Sequence, residues 1–229
     1  MSEDIKKIIK EKSDKGVLRL VMNNLDYKNA LSKKMMSMLG DEIESASSDK
    51  SIKVIVLAAK GNVFCSGHDL KEITAARENK DSGEEFYQDL FDSCSALMQL
   101  IVNTPQPIIA EVDGVATAAG CQLVASCDLA IASNESRFAT PGVNLGLFCS
   151  TPMVALSRNV NKKNAMEMLL TGDFIDASKA KEIGLINNLV QKEELTLEVT
   201  KLAEKIASKS SMTVSTGKQA FYAQAEMDL

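Results

Sequence analysis

The chain has no tryptophan, a single histidine (His68), four prolines and no Cys-x-x-Cys pair. One imidazole and five scattered cysteines (65, 94, 121, 127 and 149) give no ligand spacing for a zinc site, so no metal is expected. An odd cysteine count without a secretory leader reads as free thiols in a reducing compartment rather than as a disulfide framework. Residues 1–15 mix both charges with scattered isoleucines. They lack the apolar stretch of a signal peptide and the acid-poor, Arg-rich make-up of a transit peptide, so a cytoplasmic protein is expected. No apolar run approaches the ~20 residues that cross a bilayer, and no membrane partner is expected. A net charge of −5 supplies no basic face for nucleic acid. Any anionic ligand must therefore be met by local lysines or helix N-termini.

What is present is an ordinary globular composition, 45% hydrophobic and 25% charged over 229 residues. A chain of this size buries roughly 70–75% of its unfolded surface, enough for a full core without staples. Val17–Met22 alternates as a strand, closed by Asn23 and Asn24. Ser32 caps a helix over about 33–47, with Met35, Met36, Leu39 and Ile43 on one stripe. Ile52–Ala58 is a nearly continuous apolar strand of the kind buried on both faces. A helix with an acidic first turn spans 84–103 and is stopped by Pro105 and Pro107. Pro107–Val112 reads as a strand, 118–127 as a short helix and Asp128–Ala132 as a strand. After Pro141 the pattern is mostly helical, at 151–158, 162–170, 177–183, 192–208 and 213 to the end. Strand–helix alternation predicts an α/β fold, with no linker, low-complexity tract or repeat. Residues 1–190 form the expected α/β core and 191–229 a helical region too small for its own core. The last residues, Ala225–Leu229, lie in a helical pattern with no Gly or Asn stop signal, so that region reads as truncated.

Two segments carry most of the chemistry. Val63-Phe64-Cys65-Ser66-Gly67-His68-Asp69-Leu70-Lys71-Glu72 follows one apolar strand, and Asp113-Gly114-Val115-Ala116-Thr117-Ala118-Ala119-Gly120-Cys121-Gln122-Leu123 follows another. Each places small residues where the backbone must approach something closely. Brought together, two such turns can aim two main-chain N–H groups at one carbonyl oxygen, the geometry of an oxyanion hole. Gln122 then stands where acid–base chemistry would want a carboxylate.

These segments resemble the enoyl-CoA hydratase/isomerase (crotonase) family. Asn29-Ala30-Leu31-Ser32, Cys127-Asp128-Leu129-Ala130-Ile131-Ala132, Phe138-Ala139-Thr140-Pro141 and Leu170-Thr171-Gly172 continue the likeness, followed by Ala177, Ala180 and Gly184-Leu185-Ile186. It runs in register over about residues 15–225. The resemblance implies a right-handed spiral of β-β-α units with a helical C-terminal region. It also implies acyl-CoA thioester substrates of fatty-acid metabolism, coenzyme A arriving as part of the substrate with no separate cofactor, and a homotrimer or hexamer. By position, the oxyanion donors are the main-chain N–H groups of His68 and Ala119, the second at a helix start where unpaired N–H groups favour negative charge. The substrate-binding positions implied are Lys28, Ala30, Ser66, His68, Asp69, Leu70, Lys71, Ala119 and Gly142. Lys28 and Lys71 would meet the CoA phosphates, and Asp69 would cap the helix after it.

The likeness breaks where family hydratases carry their two glutamates. One position is Gln122 and the other Gly142, and neither can transfer a proton. A third acidic position of some relatives falls on Ser150, whose hydroxyl relays a proton but is a poor lone base. Cys149 would be a nucleophile if its pKa were lowered. The expected activity is thus acyl-CoA binding in an oxyanion hole with the hydratase step in doubt. A non-catalytic acyl-CoA binder and an acyl-CoA thioester hydrolase are the alternatives.

Overall fold

The computed structural model describes residues 6–225, 227 and 228. The chain runs through β1 (Ile8–Lys12), β2 (Val17–Met22), α1 (Lys33–Ser48), β3 (Val54–Ala59), β4 (Val63–Cys65), α2 (Leu70–Ala76) and α3 (Glu84–Asn103). It continues with β5 (Ile108–Val112), β6 (Val115–Thr117), α4 (Ala119–Ser126), β7 (Leu129–Ser133), β8 (Arg137–Ala139), α5 (Ser150–Asn159) and α6 (Lys162–Thr171). Last come β9 (Ile175–Asp176), α7 (Ala177–Glu182), β10 (Asn188–Val190), α8 (Leu195–Ala207) and α9 (Ser211–Gln224).

The apolar runs build one six-stranded sheet in the order β1-β2-β3-β5-β7-β10. Its strands are parallel except for β1, which pairs antiparallel with β2. A second sheet, β4-β6-β8-β9, stands beside it. The register explains the architecture. β3 leads directly into β4, β5 into β6 and β7 into β8, and a helical segment follows each pair. The repeating unit is therefore strand, short strand, helix, and the fold is the crotonase-like right-handed spiral with a helical C-terminal region.

β3 is buried on both sides, as its sequence requires. Ile55 and Leu57 join the main core with Met35, Leu39 and Ile43 of α1, while Val54 and Val56 face Leu195, Val199 and Ala203 of α8. Ser32 caps α1 by accepting from the Met35 N–H at 3.1 Å. Under α8, the Arg19 guanidinium grips the Glu111 carboxylate through both terminal nitrogens, and Thr196 Oγ1 donates to the same carboxylate at 2.8 Å.

The structure departs from the expected elements in particular places. β1 lies in a stretch that carries no strand pattern, because it is an edge strand with only Ile8 buried and lysines on its open side. The second sheet consists of strands of two or three residues, too short for any periodicity to show. Asp128 precedes β7 instead of opening it, because the ladder with β5 begins at the Ile109–Leu129 pair. The segment at 192 begins as a 3-10 turn before α8, and the last helix starts at Ser211 under a Ser210 cap and ends at Gln224.

α9 buries none of its residues and is held by two polar side chains. Lys218 Nζ donates to Asp128 Oδ2 at 2.7 Å and to the Ile101 and Gln106 carbonyls at 3.0 and 3.1 Å. Tyr222 OH donates to Asp128 Oδ1 at 2.9 Å, and Asp128 also accepts the Ile108 N–H at 2.7 Å. The ammonium is almost fully buried, and burial pulls its pKa below the usual lysine range. Removing one partner of a buried pair leaves an uncompensated charge, which costs about 3–5 kcal/mol. Lys218→Ala is expected to lower unfolding free energy by about 3 kcal/mol. Hydrogen exchange should show α9 losing protection before the sheet; an α9 protected as in wild type would contradict this account.

Candidate active site

β4 and β6 are parallel neighbours, so their C-terminal ends emerge side by side. The Thr117 hydroxyl donates to the Ser66 carbonyl at 3.0 Å and ties the two exits together. Contact beyond that tie is possible only because glycines stand on both sides. A Cβ on Gly120 would lie 2.2 Å from the Cys65 carbonyl oxygen. Gly67 has φ +92°, and a Cβ there would lie 2.9 Å from Ala118 Cβ and 3.4 Å from the Ala119 nitrogen. Between them, Ala118 adopts φ 50°, ψ −120°, a sparsely populated conformation for a residue with a side chain. It is held there by its N–H, which donates to the Ala139 carbonyl, and by its own carbonyl, which accepts from Gln122. Among the described residues, the main-chain N–H groups of His68 and Ala119 have no acceptor. Ala119 is the first residue of α4, where an intrahelical partner cannot exist.

A third segment braces the first. The Ser66 N–H donates to the Lys28 carbonyl at 3.2 Å, and the Leu31 N–H to the Gly67 carbonyl at 2.7 Å. Lys28 and Asn29 both have positive φ, 53° and 51°. Asn29 is buried there, its amide donating to the Lys60 and Val63 carbonyls and its oxygen accepting from the Asn24 N–H. Asn tolerates this conformation better than most residues, which is the physical content of its place in the Asn29-Ala30-Leu31-Ser32 motif. Ala30 is buried with its N–H on the Tyr27 carbonyl. Lys71 and Lys7 place their ammonium groups 4.9 and 5.8 Å from the Tyr27 ring centroid, and Lys28 is exposed next to it in the chain. Asp69 caps α2 by accepting from the Lys71 N–H at 2.9 Å, and Leu70 is exposed.

His68 Nδ1 lies 3.2 Å from the Leu31 carbonyl, which can only accept, so this nitrogen carries the proton. The ring packs edge-on to Phe91 of α3, 5.8 Å between centroids. Gln122 is buried, and its Oε1 accepts from the Cys94 thiol at 3.8 Å, one turn along the same face of α3. Only two buried side-chain polar atoms among the described residues lack a partner: His68 Nε2 and Thr140 Oγ1. Thr140 follows the Ala139 carbonyl that holds Ala118, and His68 follows Gly67, whose backbone meets Ala118. Such orphans are uncommon in folded proteins, and each calls for an explanation.

Comparison with known proteins identifies the family. Residues 12–229 match the enoyl-CoA hydratase/isomerase family. The chain belongs to this family. It is 50% identical over 214 residues to a rat protein named enoyl-CoA hydratase domain-containing protein 3, mitochondrial, covering 93% of this chain and 70% of that one. The runs Gly67-His68-Asp69-Leu70, Ala118-Ala119-Gly120-Cys121-Gln122-Leu123-Val124-Ala125-Ser126-Cys127-Asp128 and Phe148-Cys149-Ser150-Thr151-Pro152 look most like that subgroup. The crystal structure of the human protein of that name superposes with a TM-score of 0.92 at 46% identity, covering 98% of this chain and 86% of that one. An Escherichia coli 2,3-dehydroadipyl-CoA hydratase is 33% identical, over 93% of this chain and 81% of that one.

The remaining candidates do not all converge on the paired N–H groups. Gly142 and Cys149 close a loop on each other, the Gly142 N–H lying 3.3 Å from Cys149 Sγ. A Cβ at Gly142 would be 2.8 Å from that sulfur and 2.9 Å from the Leu147 carbonyl, so the position has no room for a glutamate. The condition for Cys149 to act as a nucleophile is not met, because burial pushes its thiol pKa up rather than down. Ser150 opens α5 with its hydroxyl turned back to the Phe148 carbonyl at 3.1 Å. Thr117, Phe91 and Tyr27 have no assigned role in the sequence reading. Thr117 stands inside the quoted motif, but its tie to Ser66 crosses 51 residues of chain.

Overpacking at Gly142 is expected to cost about 1–3 kcal/mol in Gly142→Ala, measured by urea unfolding. A second expectation concerns pH. Burial lowers the His68 pKa from its ordinary 6.5 in the folded chain. Above that value both states are neutral and the residue contributes no slope. As pH falls below it, the unfolded chain binds a proton that the folded chain resists, so stability is lost toward acid. Between pH 7.5 and 5.5 the wild type should lose more stability than His68→Asn; equal losses would mean the ring is not held neutral.

Proposed function

We propose that this protein binds acyl-CoA thioesters, with the thioester carbonyl oxygen accepting from the His68 and Ala119 N–H groups. The observation that carries the reading is the pair of unpartnered main-chain donors, brought together by a contact that only glycines permit. Donors fixed in place by the fold need no rearrangement as charge grows on the oxygen, which is why such holes stabilise oxyanions. Lys28, Lys71 and Lys7, grouped around Tyr27, supply cations for the CoA phosphates in a chain of net charge −5. Coenzyme A enters as part of the substrate. In keeping with the family, we read the protein as acting in fatty-acid metabolism as a homotrimer or hexamer. Five buried free thiols fit a reducing compartment, the cytoplasm by the sequence reading, although the rat relative's name carries the word mitochondrial.

Hydration itself is the weakest part of the family's repertoire here. The Gln122 amide has no usable pKa and accepts a hydrogen bond from Cys94, while Gly142 offers only a hydrogen atom. Each lost acid–base group is worth about 10²–10⁴ in rate, so hydratase turnover is expected to be slow. Reinstating both glutamates meets the Cys149 and Leu147 contacts at position 142, so that substitution alone does not rebuild the site.

Replacing Ala119 by proline is an unclean test of the donors, because a residue preceding proline is excluded from the conformation of Ala118. Changing the ligand is cleaner. Butanoyl-CoA and S-butyl-CoA carry identical phosphates and chains of equal length, but the thioether lacks the carbonyl. Two hydrogen bonds at about 1 kcal/mol each predict a thioester Kd roughly 10–100-fold lower by calorimetry. Equal affinities would remove the oxyanion hole from the proposal, and absence of binding by both would remove the ligand class.

A further inference from the structure

We infer that a groove at the N-terminal ends of β3 and β5 binds an aliphatic carboxylate, independently of the acyl-CoA reading above. The groove is a cavity of about 410 Å³, within the size range of small-molecule sites. Its walls are the end of α1, the turns that lead into β3 and β5, the end of α8 and the first turns of α9. Its lining shares no residue with the candidate active site.

Charge sets the groove apart. Lys50, Lys53 and Lys209 line it, and no aspartate or glutamate does. Three cations thus face one cavity in a chain whose net charge is −5. Several surface lysines find carboxylates, as Lys10 does with Glu42 and Lys201 with Glu198, whereas among the described residues these three form no ion pair. Asp49, next to Lys50 in the chain, is already held by Lys12 and Ser51. An anion seated among like charges relieves their repulsion as well as adding its own attraction.

The apolar lining indicates what the anion carries. Ile52, Pro105, Pro107, Ile206, Met212 and Val214 supply aliphatic surface, and no aromatic ring lines the cavity. A nucleobase would find nothing to stack on, and a saturated chain finds matching walls. Gln106, a buried polar side chain in the wall, is already satisfied, its amide donating to the Ala46 and Ile52 carbonyls at 2.9 and 3.3 Å. The head group follows from the donors. A phosphate is best met by arginine forks or by a glycine-rich cradle of main-chain N–H groups, and the lining has neither arginine nor glycine. The start of α9 is closed by Ser210, whose hydroxyl accepts the Thr213 N–H at 3.3 Å. Lysines acting as point charges suffice for the two oxygens of a carboxylate.

Occupancy also bears on α9. That helix buries none of its residues and is held by Lys218 and Tyr222, beyond its first turns. Ser211, Met212, Val214 and Ser215 form one wall of the cavity, so a ligand seated there ties the start of α9 to α1 and to the turn before β3.

Calorimetry with decanoate, kept below its micelle concentration, tests this on the wild-type chain and on the triple variant Lys50→Gln, Lys53→Gln, Lys209→Gln. A matching circular dichroism spectrum and melting temperature identify a folded variant. Saturable binding is expected in the wild type, about tenfold or more weaker in the triple variant and for uncharged decanol. Met212→Asp, at a side chain 76% exposed, should weaken decanoate as well, by bringing a like charge to the wall. S-butyl-CoA should leave the decanoate Kd within about threefold, and decanoate should slow hydrogen exchange at the start of α9. Absence of decanoate binding would overturn the inference, as would unchanged affinity in the folded triple variant or in Met212→Asp. Displacement of decanoate by S-butyl-CoA would also overturn it, by placing the carboxylate in the proposed thioester site. Tighter binding of decyl phosphate than of decanoate would overturn the choice of head group.

Discussion

The site depends on one steric constraint, the approach of the Ser66–His68 backbone to the Thr117–Gly120 backbone at the ends of β4 and β6. A methyl group at 120 would overlap the Cys65 carbonyl, and one at 67 would press on Ala118. Most of the neighbouring geometry follows from that contact. Thr117 can reach Ser66 only at this separation, and α4 can start where it does only if Ala118 accepts a positive φ. Strain of this kind costs about 1–3 kcal/mol and persists only where the surroundings over-determine it. Here the surroundings are the Ala139 carbonyl and the first turn of α4, both anchored in the spiral.

The same constraint explains why the polar imperfections cluster. A folded chain normally pairs its buried donors and acceptors. The two unpaired main-chain donors, the His68 Nε2 orphan, the Thr140 orphan and the strained Ala118 all lie within a few residues of this junction. Elsewhere the chain handles buried polarity thoroughly. Glu111 is met by Arg19 and Thr196, and Asp128 by Lys218, Tyr222 and the Ile108 N–H. Among the described residues the buried side-chain polar atoms left without a partner lie at His68 and Thr140, an observation that supports the proposed ligand site.

Much of this was legible before any coordinates, for identifiable reasons. The long strands and α3 announce themselves because a run such as Val54–Leu57 has no polar residue to place elsewhere, and because Pro105 and Pro107 end the helix before them. The Ser32 and Asp69 caps are local, needing only the next few residues. The second sheet was not legible, since strands of three residues have no period to detect. Nor was the Lys218–Asp128 pair, whose partners are 90 residues apart and whose lysine looks like any exposed one in sequence. The two site segments were recognisable from small residues, but not the state of the His68 ring. Its tautomer is set by a carbonyl 37 residues away, and its neutrality by packing against α3.

The replaced acids differ in how deeply each change is built into the structure. Gln122 keeps the size and shape of a glutamate at its buried place on α4. Gly142 is different. Without a side chain there, the 147–149 segment closes onto the backbone, Cys149 taking the space of the Cβ and the Gly142 N–H contacting its sulfur. Protein interiors are packed too tightly for a vacated volume to stay open for later use. The two unpartnered donors, by contrast, belong to the main chain and survive side-chain changes that leave Gly67 and Gly120 in place. In the proposed reading, ligand recognition is thus separable from acid–base chemistry: the first rests on the spiral's backbone, and the second on side chains that can be lost.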